Sequence, residues 1–173
     1  MTKQQLRQLI RQRRQQHAGE DGTAIIRRLC RHPRISQATT LLLYHALPDE
    51  VPTQALLDEL VAQGKTVLLP RVVSYTEMTL HRYTSPHDLK PGAFGILEPA
   101  GEPFTDYEHI DVAVIPGMAF DREGHRLGRG RGYYDYFLSR VPYVYKIGLC
   151  FPWQMVDEVP TDEHDVTMNW VQS

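Results

Sequence analysis

The chain has 173 residues, of which 42% are hydrophobic and 23% are charged. This length fits one domain spanning residues 1–173, and the composition excludes a disordered or fibrous protein. The apolar run from Val112 to Ile115 is far shorter than the roughly 20 residues of a membrane-spanning helix, so we expect no membrane partner.

Cysteine content and the N-terminal sequence indicate a reducing compartment. The two cysteines, Cys30 and Cys150, have no neighbouring Cys or His pair, which makes a zinc knuckle an unfavourable interpretation. The N-terminus carries Arg and Gln where a secretory signal would need an apolar stretch. We therefore expect a cytoplasmic protein.

Charge is distributed unevenly along the chain. The net charge is −2, but residues 1–34 contain nine basic residues against Glu20 and Asp21, which gives this segment +7 and the remainder −9. Two interpretations follow: a basic arm that binds an anionic partner, or a positive helical hairpin that docks on an acidic body.

Hydrophobic periodicity predicts alternating helices and strands. An amphipathic N-terminal helix would align Lys3 and Arg7 on one stripe, beside a stripe that contains Leu6 and Ile10. Further helices are predicted at residues 23–30, 52–62 and 133–138, and strands at 40–44, 66–69, 78–83, 111–115 and 145–150.

The order of these elements predicts the fold class. The strand at 40–44, the helix at 52–62 and the strand at 66–69 imply a crossover connection between parallel strands. Residues 84–108 are rich in proline and glycine, and we expect a long ordered loop over one sheet edge. The predicted architecture is an α/β protein, a three-layer α/β/α sandwich with a mainly parallel central sheet.

A glycine- and arginine-rich loop precedes the helix predicted at 133–138. Residues 128–132 alternate Gly with Arg, which allows backbone N–H groups and two guanidinium groups to converge on phosphate. The GxxxxGK[ST] spacing of a P-loop is absent. A flexible glycine turn with solvated arginines, or an RGG-like contact with nucleic acid, would have the same sequence.

Two acidic residues that follow this loop in the sequence have the chemistry of magnesium ligands. Asp135 lies in the first turn of the predicted helix, and Asp165 follows Glu163 and His164 near the C-terminus. Magnesium in proteins commonly binds one or two carboxylates together with substrate phosphates. Either residue could instead cap a helix or be solvated.

Several blocks of sequence resemble one enzyme family. The run from Pro116 to Asp121, the run from Arg126 to Asp135 and the triplet at 163–165 are similar to the signature of 5-formyltetrahydrofolate cyclo-ligases, also called methenyltetrahydrofolate synthetases. The likeness extends to Lys3, Arg7 and residues 47–53 and 95–99, and so over nearly the whole chain. One departure is Pro52, at a position where many members carry an acid.

The resemblance implies roles for particular residues. Arg129, Arg131, Tyr133 and Tyr134 would act in catalysis, and Asp135 and Asp165 would bind Mg2+. ATP contacts would come from Lys3, Arg7, Arg126, Leu127, Gly128, Arg129, Gly130, Arg131, Gly132, Tyr133 and Tyr134. Folate contacts would come from Leu47, Glu50, Phe94, Arg129, Gly130, Arg131, Gly132 and Tyr133. Phe94 could stack on the pterin, and a core or loop anchor would have the same sequence.

The reaction implied is the cyclisation of 5-formyltetrahydrofolate to 5,10-methenyltetrahydrofolate by a monomer that uses ATP and Mg2+. In that family the formyl oxygen takes the γ-phosphoryl group and N10 then attacks the activated carbon. Two alternatives stay open: a kinase or other ATP-using transferase with another substrate, and a nucleic-acid-binding module.

Overall fold

The computed structural model describes residues 1–74, 76–92 and 95–173, which form five α-helices and eleven strands. The helices are α1 (Lys3–Gln16), α2 (Thr23–Arg31), α3 (Pro33–Ser36), α4 (Gln54–Ala62) and α5 (Tyr133–Ser139). The strands are β1 (Thr40–Leu42), β2 (Thr66–Val72), β3 (Met78–Tyr83), β4 (Leu89–Pro91), β5 (Leu97–Pro99), β6 (Pro103–Phe104), β7 (Val112–Ile115), β8 (Ala119–Phe120), β9 (Arg126–Leu127), β10 (Tyr145–Leu149) and β11 (Trp170–Gln172).

Seven strands form the central sheet in the order β11-β10-β7-β1-β2-β3-β6. The pairs from β11 to β2 are parallel, and β2-β3 and β3-β6 are antiparallel. In the pair β1-β2, Thr40 lies opposite Thr66 and Leu42 opposite Leu68, with α4 connecting the two strands. The predicted crossover between parallel strands is confirmed.

Helices pack against apolar residues on both faces of the sheet. In β1, Leu41 packs in a cluster with Leu29 of α2 and Leu57 of α4, while the next residue, Leu42, packs in a second cluster with Phe137 of α5. Successive side chains of a strand point to opposite faces, so the two clusters lie on opposite sides of the sheet. The three-layer prediction is confirmed.

Helix α1 lies against the small hairpin of β8 and β9. Thr2 caps the helix by accepting a hydrogen bond from the Gln5 N–H, and Leu6 and Ile10 are buried in a third cluster with Leu127 of β9. Burying each such side chain stabilises the fold by roughly 1.5–3 kcal/mol. This packing carries the basic stripe of α1 to the segment that follows β9.

The long loop predicted at 84–108 is wrong in part, because this segment contains three short strands. β4 pairs with β5 as a hairpin, with Leu89 opposite Pro99, and β6 pairs with the edge of β3. Proline is tolerated in edge strands, where its missing N–H is not needed by a neighbouring strand. The proline-rich composition therefore predicted a loop where the structure has short strands. None of the helices in the described part of the chain is sufficiently long and apolar to cross a bilayer.

Candidate active site

A cavity of about 950 Å³ opens at the carboxyl ends of β1, β2 and β7. Open α/β sheets usually bind ligands at this edge. Its wall is formed by α1, the segments that follow β1 and β7, the ends of β2, β3 and β5, the Arg-Gly loop (residues 126–132), α5, and the acidic loop (residues 162–166). The volume lies near the upper limit of ordinary ligand pockets, so it has room for more than one small ligand.

The Arg-Gly loop faces this cavity together with α1. Gly130 and Gly132 have backbone φ angles of 109° and 74°, which residues other than glycine rarely adopt. The Arg7 Nε donates a hydrogen bond to the Gly128 carbonyl oxygen at 2.9 Å. Arg129 and Arg131 also line the cavity. The fold therefore brings together the two segments predicted to bind nucleotide phosphates, α1 and the Arg-Gly loop.

Lys3 joins α1 to the acidic loop. Its Nζ lies 2.7 Å from Oδ2 of Asp162 and 2.6 Å from Oδ2 of Asp165. Burial works against the charged ammonium, but the hydrogen bonds that it donates to both carboxylates outweigh this effect, and the pKa of Lys3 is raised. Lys3 therefore brings a stable positive charge to the cavity wall.

Asp135 holds α5 and the acidic loop together. Its Oδ2 accepts a hydrogen bond from the Arg126 Nη2 at 3.2 Å, and its Oδ1 accepts one from the backbone N–H of Val166 at 3.1 Å. The neighbour of Val166 is Asp165, so both acidic residues proposed as metal ligands line the same cavity.

The donor chemistry of this pair fits magnesium, because two carboxylates face a cavity with room for phosphate and water. Among the described residues, a group of three possible metal ligands occurs at Asp106, Glu108 and His109, which are exposed and do not line the cavity. Asp135 and Asp165 are therefore the better-placed acidic residues for an ion that accompanies a nucleotide.

Arg129 connects the Arg-Gly loop to the segment that follows β1. Its Nη2 lies 3.1 Å from Oδ2 of Asp49 and 3.8 Å from Oε2 of Glu50. Asp49 also binds Nη1 of Arg14 at 2.6 Å. Burial opposes the charged carboxylate, but the two arginines outweigh it and lower the pKa of Asp49. The residues predicted to bind folate at 47–50 thus adjoin those predicted to bind ATP.

A group of polar side chains, one buried and two partly buried, lies beside this junction. Glu50 is 9% exposed and its Oε1 accepts a hydrogen bond from the Leu47 N–H at 2.8 Å, while burial raises its pKa. Burial and the Glu50 charge raise the pKa of the Tyr134 hydroxyl. Tyr133, also on the cavity wall, packs against the cluster that contains Phe137. Both tyrosines predicted to be catalytic therefore line the cavity, and the raised pKa keeps the Tyr134 hydroxyl neutral.

Sequence reasoning missed Tyr44. It lines the cavity, is 3% exposed, and its hydroxyl has no hydrogen-bond partner among the described residues. Burial raises the pKa of this hydroxyl. Tyr44 lies at the end of a predicted buried strand, where an aromatic residue also serves as core, so the sequence carried no distinguishing signal.

An apolar wall formed by β2, β3 and β5 was also missed. The residues of this wall that line the cavity are Leu69, Pro70, Val72, Met78, Ile96 and Leu97, together with the acidic residue Glu98. Residues 95–99 resembled a family block, but the sequence assigned them no role. The predicted folate contact Phe94 lies outside the described residues.

The basic N-terminal segment is attached to the rest of the protein. Lys3 and Arg14 form ion pairs with Asp165 and Asp49, and Arg13 Nη1 donates a hydrogen bond to the Trp153 carbonyl oxygen at 3.3 Å. These contacts favour the docked hairpin over a free basic arm.

Comparisons with known proteins identify the family and support the fold. The model of the 5-formyltetrahydrofolate cyclo-ligase family matches residues 1–172. Proteins named 5-formyltetrahydrofolate cyclo-ligase from Mus musculus and Escherichia coli are 28% and 29% identical, covering 98% and 92% of this chain and 92% and 93% of their own lengths. The solved structure of an Aquifex aeolicus 5,10-methenyltetrahydrofolate synthetase superposes with a TM-score of 0.84 and 33% identity, covering 99% of this chain and 89% of that one.

Proposed function

The chain belongs to the 5-formyltetrahydrofolate cyclo-ligase family, and from this premise we propose that it converts 5-formyltetrahydrofolate to 5,10-methenyltetrahydrofolate, using ATP and Mg2+ and releasing ADP and phosphate. One observation carries the proposal: the cationic residues Lys3, Arg7 and Arg129 line the same cavity as the apolar wall. A triphosphate and a reduced pterin need these two kinds of surface.

The cationic residues would bind the triphosphate and stabilise the charge that develops during phosphoryl transfer. Lys3 offers a point charge from α1, whereas Arg7 and Arg129 offer planar donor pairs that match phosphoryl oxygens. Phosphoryl transfer asks a protein mainly for positioning and electrostatic stabilisation. The cavity wall therefore needs no side chain that forms a covalent intermediate.

The chemistry proceeds within the bound folate. The formyl oxygen on N5 attacks the γ-phosphorus, and ADP leaves. N10 then attacks the formyl carbon, loses its proton, and the carbon–oxygen bond breaks to release phosphate. Because N10 belongs to the same molecule, the protein needs only to hold the folate in a bent conformation. The apolar wall and Glu50 would help to hold the folate in this conformation.

Asp135 and Asp165 would hold the magnesium ion. When bound, the ion would neutralise part of the phosphate charge. In the absence of ligand, Arg126 and Lys3 balance the charges of these two carboxylates. Arg126 is 6% exposed, so its pairing with Asp135 also keeps a buried cation compensated.

An absorbance assay tests the proposal. Purified protein is incubated with Mg-ATP and 5-formyltetrahydrofolate, and the methenyl chromophore is followed together with ADP and phosphate. We expect the chromophore to grow only when all three components are present, with one ADP per methenyl product. A folded protein that forms no chromophore would overturn the proposal.

The same materials test the alternatives. ADP production with another acceptor would favour a kinase or transferase. Binding of nucleic acid that weakens steeply with salt and ignores folate would favour a nucleic-acid-binding module. We also propose a cytoplasmic monomer, and sedimentation equilibrium would measure the oligomeric state.

A further inference from the structure

Glu98 is a buried carboxylate in the apolar wall of the cavity. It is 6% exposed, it lies in β5, and it lines the cavity beside residues such as Leu69, Met78 and Ile96. Glutamate is rarely buried to this extent unless a partner compensates its charge. The partners of Glu98 therefore indicate what the position is for.

The residues that the structure describes give this carboxylate little compensation. The Val72 N–H donates a hydrogen bond to Oε1 at 3.4 Å, which is long for such a bond. Within residues 1–74, 76–92 and 95–173, no Lys, Arg or His nitrogen lies within 4.0 Å of the Glu98 carboxylate. A buried carboxyl group with so few partners among the described residues is suited to a ligand that donates hydrogen bonds.

Gly92 leaves the space that the carboxylate occupies. A Cβ atom at Gly92 would lie 2.5 Å from Oε2 of Glu98, closer than non-bonded atoms approach. Any larger residue would therefore displace the carboxylate. Gly92 in the β4-β5 connection thus leaves room for the Glu98 carboxylate at the cavity wall.

Glu50, the other buried acid of the cavity, has closer polar partners than Glu98. Its Oε1 accepts the Leu47 N–H at 2.8 Å and its Oε2 lies 3.8 Å from Arg129. It is therefore tied to the Arg-Gly loop, where the triphosphate is proposed to bind. Glu98 lacks such a cation and lies among the apolar residues.

We propose that Glu98 recognises the 2-amino-4-oxopyrimidine ring of the reduced pterin by accepting the N3–H and one N–H of the 2-amino group; this inference rests on the proposed function. These two donors are parallel, as in a guanidinium group, and match the two oxygens of a carboxylate. The apolar wall would cover the faces of the ring. A ligand without the 2-amino group would leave one oxygen of Glu98 buried and unpaired, so Glu98 determines specificity.

Equilibrium binding without ATP tests the inference. Binding of 5-formyltetrahydrofolate and of its 2-desamino analogue is measured by titration calorimetry for the wild type, Glu98→Gln, and the control Glu102→Gln, whose side chain is exposed. We expect the wild type to prefer 5-formyltetrahydrofolate by at least about tenfold. Glu98→Gln should lose most of that preference, while Glu102→Gln keeps it. In a separate turnover assay, the KM for ATP should be unchanged in both variants.

Each other outcome overturns the inference in a recognisable way. Equal binding of the two ligands by the wild type overturns it even if Glu98→Gln fails to fold. Equal weakening of both ligands in a folded Glu98→Gln protein would show a structural role. Failure of the wild type to bind 5-formyltetrahydrofolate would overturn the proposed function together with the inference. An active wild type whose preference survives Glu98→Gln would overturn the inference and leave the proposed function intact.

Discussion

The Lys3 ammonium and the Asp165 carboxylate lie 2.6 Å apart although 162 residues separate them along the chain. This pair fastens the first turn of α1 to the acidic loop. The adjacent Val166 N–H binds Asp135, the first acidic residue of α5. Three segments that are distant in sequence therefore enclose one side of the cavity, and Lys3 both supports this wall and presents charge to it.

Lys3→Ala tests that second role. We expect the KM for ATP to rise by about tenfold, equivalent to ~1.4 kcal/mol of lost binding, with a smaller change in the KM for 5-formyltetrahydrofolate. Steady-state kinetics with each substrate varied in turn would measure both constants. Arg27→Ala, which removes an exposed cation of α2, is the matched control. An unchanged KM for ATP would leave Lys3 a purely structural residue.

Arg129→Ala should reduce kcat by at least about tenfold, because its guanidinium would stabilise charge on the transferring phosphoryl group. Arg14→Ala is the control, since Arg14 binds the same carboxylate of Asp49 but does not line the main cavity. We expect Arg14→Ala to keep kcat within about threefold of the wild type. Equal losses in the two variants would show that both act through Asp49.

The sequence predicted the central elements of the fold well, because their signals are local. The strand at 40–44, the helix at 52–62 and the strand at 66–69 match β1, α4 and β2 to within three residues. β4 and β5 were missed because each strand has only three residues and contains a proline, which is unfavourable in strands. β11, which includes Trp170, is an edge strand of three residues whose sequence alternates too briefly to predict.

The cationic half of the site was likewise predictable, and the apolar half was not. Glycines alternating with Arg129 and Arg131 drew attention to the loop that lines the cavity, and the family resemblance added Lys3 and Arg7. The importance of Glu98 depends on its burial, which arises when the β4-β5 hairpin packs against β2. No local pattern distinguishes this glutamate from an exposed one.

Asp121→Asn tests how a buried carboxylate stabilises the turn between β8 and β9. Asp121 is 2% exposed, and its oxygens accept hydrogen bonds from the Val159 N–H at 3.0 Å and from Nδ1 of His125 at 2.9 Å. Burial opposes ionisation, but these hydrogen bonds outweigh it and lower the pKa of Asp121. We expect the substitution to reduce the free energy of unfolding by roughly 2 kcal/mol at pH 7.

The pH dependence of that loss follows from the lowered pKa. The ionised carboxylate stabilises the fold fully above its unfolded pKa of about 3.9, and this contribution disappears as pH falls through the lower folded pKa. Urea unfolding between pH 3 and pH 7 should therefore show wild type and Asp121→Asn converging at the acidic end. Asp157→Asn, an exposed acid, is the control. A constant difference at every pH would contradict the role of the ionised carboxylate.

Gly148→Ala tests the packing of Phe120 against β10 of the central sheet. Phe120 is fully buried, and a Cβ at Gly148 of β10 would lie 2.8 Å from its Cδ1, while a Cβ at Gly117 would lie 2.7 Å from its Cζ. The ring therefore occupies space that two glycines leave open. We expect Gly148→Ala to destabilise the fold by about 1–3 kcal/mol, since overpacking forces neighbouring atoms apart.

A double-mutant cycle with Phe120→Leu separates this clash from a general intolerance of alanine in β10. The smaller leucine leaves room for the new methyl group, so Gly148→Ala should cost less in the Phe120→Leu background than in the wild type. Thermal unfolding of all four proteins measures the coupling, and about 1 kcal/mol corresponds to a Tm change of roughly 2–4 °C in a domain of this size. Additive losses would mean that the Phe120 ring does not limit residue 148.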